Sequence, residues 1–244
     1  MVSDLDMIVA VIPALDEAER IGSVVSALLQ RVEPVIERVV VVDDGSTDGT
    51  GGVARAFGPR VEVIRNERPR GVGAAIAAGM RRSIELGASI SAVLAGDAQM
   101  DPADLPAIVA PLLRGDADFV KGNRLAWPDG ALAFPLARLI GVITLAAATR
   151  AATGLSIQDA QCGYVALSRR ALLAIPWDEL WPSFGYPNDL LARAAELGLR
   201  IAEVPVRPIY AGEQSKLRTR HLPGVAYVVG RALARRVTAR ARAK

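Results

Sequence analysis

Apolar residues in this chain come in short runs, each closed by a turn or a charge. Met7–Ile12, Val39–Val42, Val61–Ile64, Ser91–Ala95, Asp118–Val120, Val165–Leu167 and Arg200–Val206 are of this kind. Runs this short, rich in β-branched residues and with little alternation, predict strands buried on both faces of a parallel sheet. Between them, apolar positions recur at helical spacing over Ala18–Arg31, from Ser46 or Thr47 to Ala56, after Gly71, and over Pro102–Leu113. The same spacing returns over Phe134–Ala152, Arg169–Ala174, Tyr186–Leu197 and Leu222–Ala241. Strands alternating with helices, without a long linker or an internal repeat, predict an α/β fold with a mainly parallel central sheet flanked by helices. The last helix reads as amphipathic, with Tyr227 and Val228 on one side and arginines on others.

In such sheets ligands lie beyond the carboxyl ends of the strands. Asp16 and Glu17 follow the first strand, Asp43 and Asp44 close the second, and Lys121-Gly122-Asn123-Arg124 closes the fifth. The fourth ends in Gly96-Asp97-Ala98-Gln99-Met100-Asp101-Pro102. Asp97 and Gln99, two apart, can both offer oxygens to one hard divalent cation, which takes its other ligands from water and substrate phosphates. The same stretch also reads as a capping loop, with Asp101 before a helix that begins at Pro102. Gly71-Val72-Gly73 looks like part of a dinucleotide fingerprint, but Asn66–Arg70 separates it from its strand and the third glycine is absent. Its small residues are read instead as letting a helix approach the sheet closely. Trp177–Tyr186 reads as a packed loop or a cleft wall, and the lone His221 as structural or solvent-facing.

Composition narrows the setting. A chain of 244 residues suits one large domain, or a domain with an appendage. One cysteine, Cys162, excludes an internal disulfide and a cysteine zinc site. Residues 1–6 hold two aspartates and no base, unlike a secretory signal. The longest apolar stretch, Leu139–Thr149 between Arg138 and Arg150, is too short to span a bilayer, so a cytoplasmic protein is expected. The net charge of +3 is uneven: Arg231–Lys244 carries six bases and no acid, leaving 23 bases against 26 acids elsewhere. A basic end on an acidic body fits an anionic partner, either a membrane surface or a nucleic acid, or else a solvated terminus.

Four stretches occur in order and at fitting intervals: Val11–Glu17, Val42–Asp48, Gly96–Pro102 and Gly122–Arg124. Together they resemble family 2 glycosyltransferases of the GT-A fold. Gly163-Tyr164, Tyr186–Leu191, Glu203–Val206 and Ser215–Leu217 are similar to dolichol- or polyprenol-phosphate mannose synthases within that family. The likeness runs from about residue 7 to 218. It implies a GT-A domain over residues 1–220 and leaves 221–244 as a basic amphipathic C-terminal helix or tail.

The resemblance implies roles residue by residue. Pro13, Leu15 and Glu17 would surround the nucleotide base and ribose, with Asp44 beside them and Gly96 on the same donor side. Asp97 and Gln99 would hold Mg2+ or Mn2+ on the donor diphosphate. Arg124 and Arg138 would grip phosphate oxygens, while Lys216, with Arg218, would reach the donor or the acceptor phosphate. The sequence departs from the family where the usual Asp-x-Asp is Ala95-Gly96-Asp97, where Met100 replaces a frequent histidine, and at Tyr210 and Gln214.

The implied activity is inverting transfer of a hexose, mannose from GDP-mannose foremost, from a nucleoside diphosphate sugar to a polyprenyl phosphate. The enzyme would sit peripherally on the cytoplasmic face of an anionic membrane, with no nucleic acid and with room for a membrane-protein or homo-oligomeric partner. A phosphate monoester, with a second pKa near ~6, needs no base. A hydroxyl acceptor does, and Asp189 is then the best carboxylate candidate. A non-catalytic sugar-nucleotide binding module is the remaining alternative.

Overall fold

The computed structural model describes residues 7–30, 36–209 and 221–242. The first half alternates strictly: β1 (Ile8–Ala14), α1 (Ala18–Gln30), β2 (Arg38–Asp43), α2 (Thr50–Arg55), β3 (Val61–Arg65), α3 (Val72–Glu85) and β4 (Ile90–Val93). There follow α4 (Leu105–Leu113), β5 (Phe119–Asn123), α5 (Leu136–Thr153), β6 (Val165–Ser168), α6 (Arg169–Ala174), α7 (Tyr186–Glu196), β7 (Ile201–Pro205) and α8 (Leu222–Arg242). One seven-stranded sheet results, in the order β3-β2-β1-β4-β6-β5-β7.

Because successive side chains of a strand point to opposite faces, each strand feeds two cores. Ile8, Ala10 and Ile12 of β1 pack with Ile21, Val25 and Leu28 of α1 and Ile108 of α4. Val9 and Val11 pack on the other face with Ile76 and Met80 of α3 and Leu190 and Leu191 of α7. Burial on both faces explains why the strands read as continuous apolar runs. The small residues of α3 do let it lie close: a Cβ at Gly79 would collide with Val11 and press on Val42.

Pairing is parallel for β1 with β2, β2 with β3, β1 with β4, and β5 with β7, while β6 runs antiparallel to both β4 and β5. The carboxyl ends of β1, β2, β4, β5 and β7 therefore emerge at one edge. The reversed β6 brings the segment that precedes it to that edge too. The order turns around at β1 and β4, which makes their loops the switch point where ligands settle in open α/β sheets. The fifth strand runs on to Asn123, past the sequence expectation, so Lys121 lies inside it and is fully buried.

Helix α5 also departs from expectation. With Arg138 and Arg150 included it reaches 18 residues, and its length and apolar composition would suffice to cross a membrane. Val142, Ala146, Thr149 and Ala152 are its buried positions. Thr149 accepts a hydrogen bond from Asn188 of α7, and Ala152 packs with Ala192 and Ala232. One side is thus bound to the protein, while Leu136, Ile140 and Ile143 on the other are exposed.

Candidate active site

The β1 and β2 loops fasten each other. Asp16, in the left-handed region at φ 52°, receives the Thr47 amide at 2.9 Å and donates its own amide to Ser46 Oγ at 3.0 Å. The Glu17 amide donates to Thr50 Oγ1 at 2.8 Å and the Ala18 amide to Asp48 Oδ2 at 2.9 Å. The Thr50 hydroxyl, with the Ala18 amide, holds the Asp48 carboxyl below its ordinary range. Asp44 sits next to the end of β1, its amide donating to the Ala14 carbonyl. Its carboxylate takes Asn66 Nδ2 at 2.7 Å and the amides of Arg70 and Gly71 at 2.9 and 2.8 Å. Pro13 and Leu15 are half-buried at the same end, and Glu17 is buried in an ion pair with Arg20 at 3.2 Å.

Gly96 is buried against Ala14 and Ile21, so the loop after β4 lies beside the loop after β1. There Asp97 Oδ1 accepts the Gln99 amide at 3.0 Å across Ala98, itself left-handed at φ 61°. Asp97 and Gln99 are both half-buried. No group of three His, Cys, Asp or Glu side chains gathers anywhere among the described residues. One carboxylate and one amide oxygen do not enclose a metal. They fit a hard cation that keeps waters and takes substrate phosphates, which is the habit of Mg2+ and Mn2+. Asp101 does cap the next helix, accepting the Ala103 amide at 2.9 Å, so both readings of this loop apply to different aspartates.

On the other side of β4, Gln99, Met100, Arg124, Gly163, Tyr164 and Arg207 line a small, open cleft. Arg124 leaves β5 and forms a bidentate pair with Asp159, Nε to Oδ2 at 2.7 Å and Nη2 to Oδ1 at 3.0 Å. It also stacks over Phe134 at 5.2 Å. Asp159 is fully buried and further accepts the amides of Arg124, Gln161 and Cys162. Burial alone would raise its carboxyl, but the Arg124 hydrogen bonds and the charges of Arg124 and Lys121 prevail and hold it below the usual range. The Lys121 ammonium donates to the Cys162 carbonyl, and burial pushes its pKa down against the pull of Asp159 and Glu203. Glu203 of β7 accepts the amides of Gln158 and Asp159 at 2.8 and 3.0 Å, and burial pushes its carboxyl up. Two cations and two carboxylates thus brace the segment leading into β6.

The sequence-derived candidates divide accordingly. Pro13, Leu15, Glu17, Asp44, Gly96, Asp97, Gln99 and Arg124 all come to the one sheet edge. Arg138 lies in the first turn of α5, four residues beyond Phe134. Lys216 and Arg218 lie outside the described residues.

Asp189 is placed differently from the expectation of a general base. It is buried, with Oδ2 accepting the Trp181 amide at 2.9 Å and Arg193 Nε at 3.2 Å, and Oδ1 accepting Arg231 Nη2 at 2.6 Å. A base must reach the proton it removes. This carboxylate instead ties α7 to α8 and is not among the residues lining the cleft.

Asp159, Lys121 and Arg207 carry no role in the sequence reading. A lysine in register with buried strand positions is the signal that could have marked Lys121; Asp159 has no pattern of its own.

A model of glycosyl transferase family 2 matches residues 9–175. A UDP-N-acetylglucosamine–dolichyl-phosphate N-acetylglucosaminyltransferase of Methanococcus voltae is 27% identical over 219 residues, covering 84% of this chain and 86% of that protein. An undecaprenyl-phosphate mannosyltransferase of Micrococcus luteus is 31% identical over 204 residues, 82% of each. Glucosyl-3-phosphoglycerate synthase from Mycobacterium tuberculosis, crystallised with Mn2+, UDP and glucosyl-3-phosphoglycerate, is 27% identical with a TM-score of 0.67, over 94% of this chain and 78% of that one.

Proposed function

Since the chain belongs to glycosyl transferase family 2, we propose that it moves a hexose from a nucleoside diphosphate sugar to a polyprenyl phosphate at the cytoplasmic face of a membrane. GDP-mannose is the expected donor. The observation that carries the lipid reading is where apolar surface remains uncovered. Leu132 (82% exposed), Leu136 (73%), Ile140 and Ile143 lie on or just before α5, and Leu222, Tyr227, Leu233 and Val237 lie on α8. These are eight of the eleven large hydrophobics exposed among the described residues, and the two helices pack on each other. Residues 130–154 and 221–242 contain seven arginines and no acid. An apolar surface on helices whose charged residues are all basic has the chemistry that seats a protein on anionic lipid.

The basic tail alone has less freedom than its charge suggests. Arg231 pairs with Asp189, Arg235 with Glu196, and Arg236 donates to the carbonyls of Arg150 and Ala151 at the end of α5. Membrane contact is therefore assigned to the joint α5/α8 surface.

In the reaction, the loops after β1 and β2 hold the nucleoside. Asp97 and Gln99 would hold a divalent cation that balances charge on the donor diphosphate. An oxygen of the acceptor phosphate attacks the anomeric carbon, the bond from that carbon to the diphosphate oxygen breaks, and the configuration inverts. The acceptor is already anionic near neutral pH, so no proton has to be removed. Arg124, aimed by Asp159, and Arg138, with Lys216 and Arg218, would stabilise the phosphates.

A second reading has its own support. Glucosyl-3-phosphoglycerate synthase shares the fold and was crystallised with glucosyl-3-phosphoglycerate, a small phosphorylated molecule rather than a lipid. A panel of labelled GDP- and UDP-sugars, with Mn2+ or Mg2+, against farnesyl phosphate and against phosphoglyceric acid separates the two. Label in the organic phase that vanishes with chelator is expected. Label confined to the aqueous product would transfer the protein to the second reading.

A further inference from the structure

The cleft contains two guanidinium groups of unequal standing. Arg124 has Nε and Nη2 committed to a fully buried carboxylate, and its side chain is only 16% exposed. Arg207 reaches the cleft from the other wall, and its side chain is 57% exposed. The fold explains the meeting: β5 and β7 run parallel with Asn123 opposite Pro205, so the residues following each strand emerge at the same level. The Arg207 amide donates to Asp104 Oδ2 at 2.7 Å, which fixes its backbone. Its guanidinium lies over the Trp127 ring at 5.4 Å. Among the described residues, the carboxylate paired with it is Asp101 at 3.8 Å, whose other oxygen is occupied in capping the next helix. Ion pairs that long and that exposed hold little of a cation's charge. A guanidinium held flat by an aromatic ring keeps its fork of donors for a planar or tetrahedral anion.

We propose that Arg207, seated on Trp127, binds the phosphate of the acceptor, while Arg124 is held in place by Asp159 on the opposite wall. This rests on the reading of a phosphate-bearing acceptor given above. The chemistry is shared by a lipid phosphomonoester and a small phosphorylated acid. In this proposal the nucleoside diphosphate lies across the switch point between β1 and β4, and Arg207 is left to the acceptor.

Calorimetric titration of the full chain with farnesyl phosphate, with phosphoglyceric acid and, in the presence of Mn2+, with GDP and UDP tests this. Arg207→Ala should weaken the phosphate compound that the wild type binds by about ten- to a hundredfold, in keeping with loss of a charge-assisted hydrogen-bonding partner. Arg207→Lys should recover part of that loss, and nucleotide affinity should stay within about twofold in both, the range of an exposed substitution. Asp101→Asn keeps the helix cap and breaks only a long, exposed pair, so affinity for the same compound should stay within about twofold.

An Arg207→Ala variant that binds the phosphate as the wild type does would overturn the assignment. So would an equal loss of nucleotide affinity. If the wild type takes phosphoglyceric acid but not farnesyl phosphate, and Arg207→Ala abolishes it, the lipid reading fails and the Arg207 site stands. Binding of neither phosphate by the wild type overturns both.

Discussion

The two halves of the sheet edge are built by different means. On the side proposed to hold the donor, the loops after β1, β2 and β4 are tied by carboxylates to backbone amides: Asp16 to Thr47, Asp48 to Ala18, Asp44 to Arg70 and Gly71, Asp97 to Gln99. On the side proposed to hold the acceptor, the braces are buried charges set against one another: Arg124, Asp159, Lys121 and Glu203 around the segment before β6. The first kind of tie is formed from separate amide-to-carboxylate hydrogen bonds, each contributing about 1.5–3 kcal/mol. The second gains little as an intact set but costs much when halved, because a charge is then left buried without its partner. The proposed donor side is accordingly adjustable one bond at a time, whereas the wall around Asp159 tolerates few changes.

Asp159→Ala is the severest way to probe that contrast. It leaves Arg124 and the buried Lys121 short of a carboxylate, and a loss of about 3–5 kcal/mol is expected from chemical denaturation, together with collapse of transfer activity. A loss under about 1 kcal/mol would mean that the wall is no stiffer than a surface ion pair. Asp44→Ala removes the acceptor for three donors and should cost about 2–3 kcal/mol, raising KM for the donor while that for the acceptor holds.

Acid should act more gently. Hydrogen bonds from Arg200 hold the Asp118 carboxyl low, as the Thr50 hydroxyl does for Asp48 and the Arg124 and Lys121 charges do for Asp159. A carboxyl held low in the folded protein stabilises it above the unfolded value of about 3.9 and loses that contribution as pH falls through the folded value. Glu203, held high, has the opposite sign and offsets part of the loss. Thermal melts should therefore be level from neutral pH to about 5 and decline below about 4. At the small end, Arg235→Ala breaks an exposed 3.4 Å pair with Glu196 and should change stability by no more than about 0.5 kcal/mol.

Much of the donor side is legible in the sequence because its chemistry is contiguous. A strand that ends in Asp43-Asp44, or in Gly96-Asp97-Ala98-Gln99, announces both the strand and the polar loop that must follow it. The apolar runs set the number of layers, since a strand without alternation has to be covered on both faces. The small residues after Gly71 serve close packing, as their pattern predicts and as Gly79 against Val11 shows. Asp189 misleads because a carboxylate in the first turn of a helix looks the same in sequence whether it faces a cleft or an arginine. Arg231, its partner, lies 42 positions away.

By itself, then, the chain's sequence determined the α/β layering, the strand-end loops and the family likeness, because each depends on neighbours within a few residues. Only the tertiary structure decided that β6 runs against its neighbours, that Asp159 meets Arg124 across 35 positions, and that Arg207 faces the same cleft as Arg124. Strand direction depends on how the connections cross the sheet, and the pairing of buried charges on which distant groups meet once water is gone; local pattern carries no record of either.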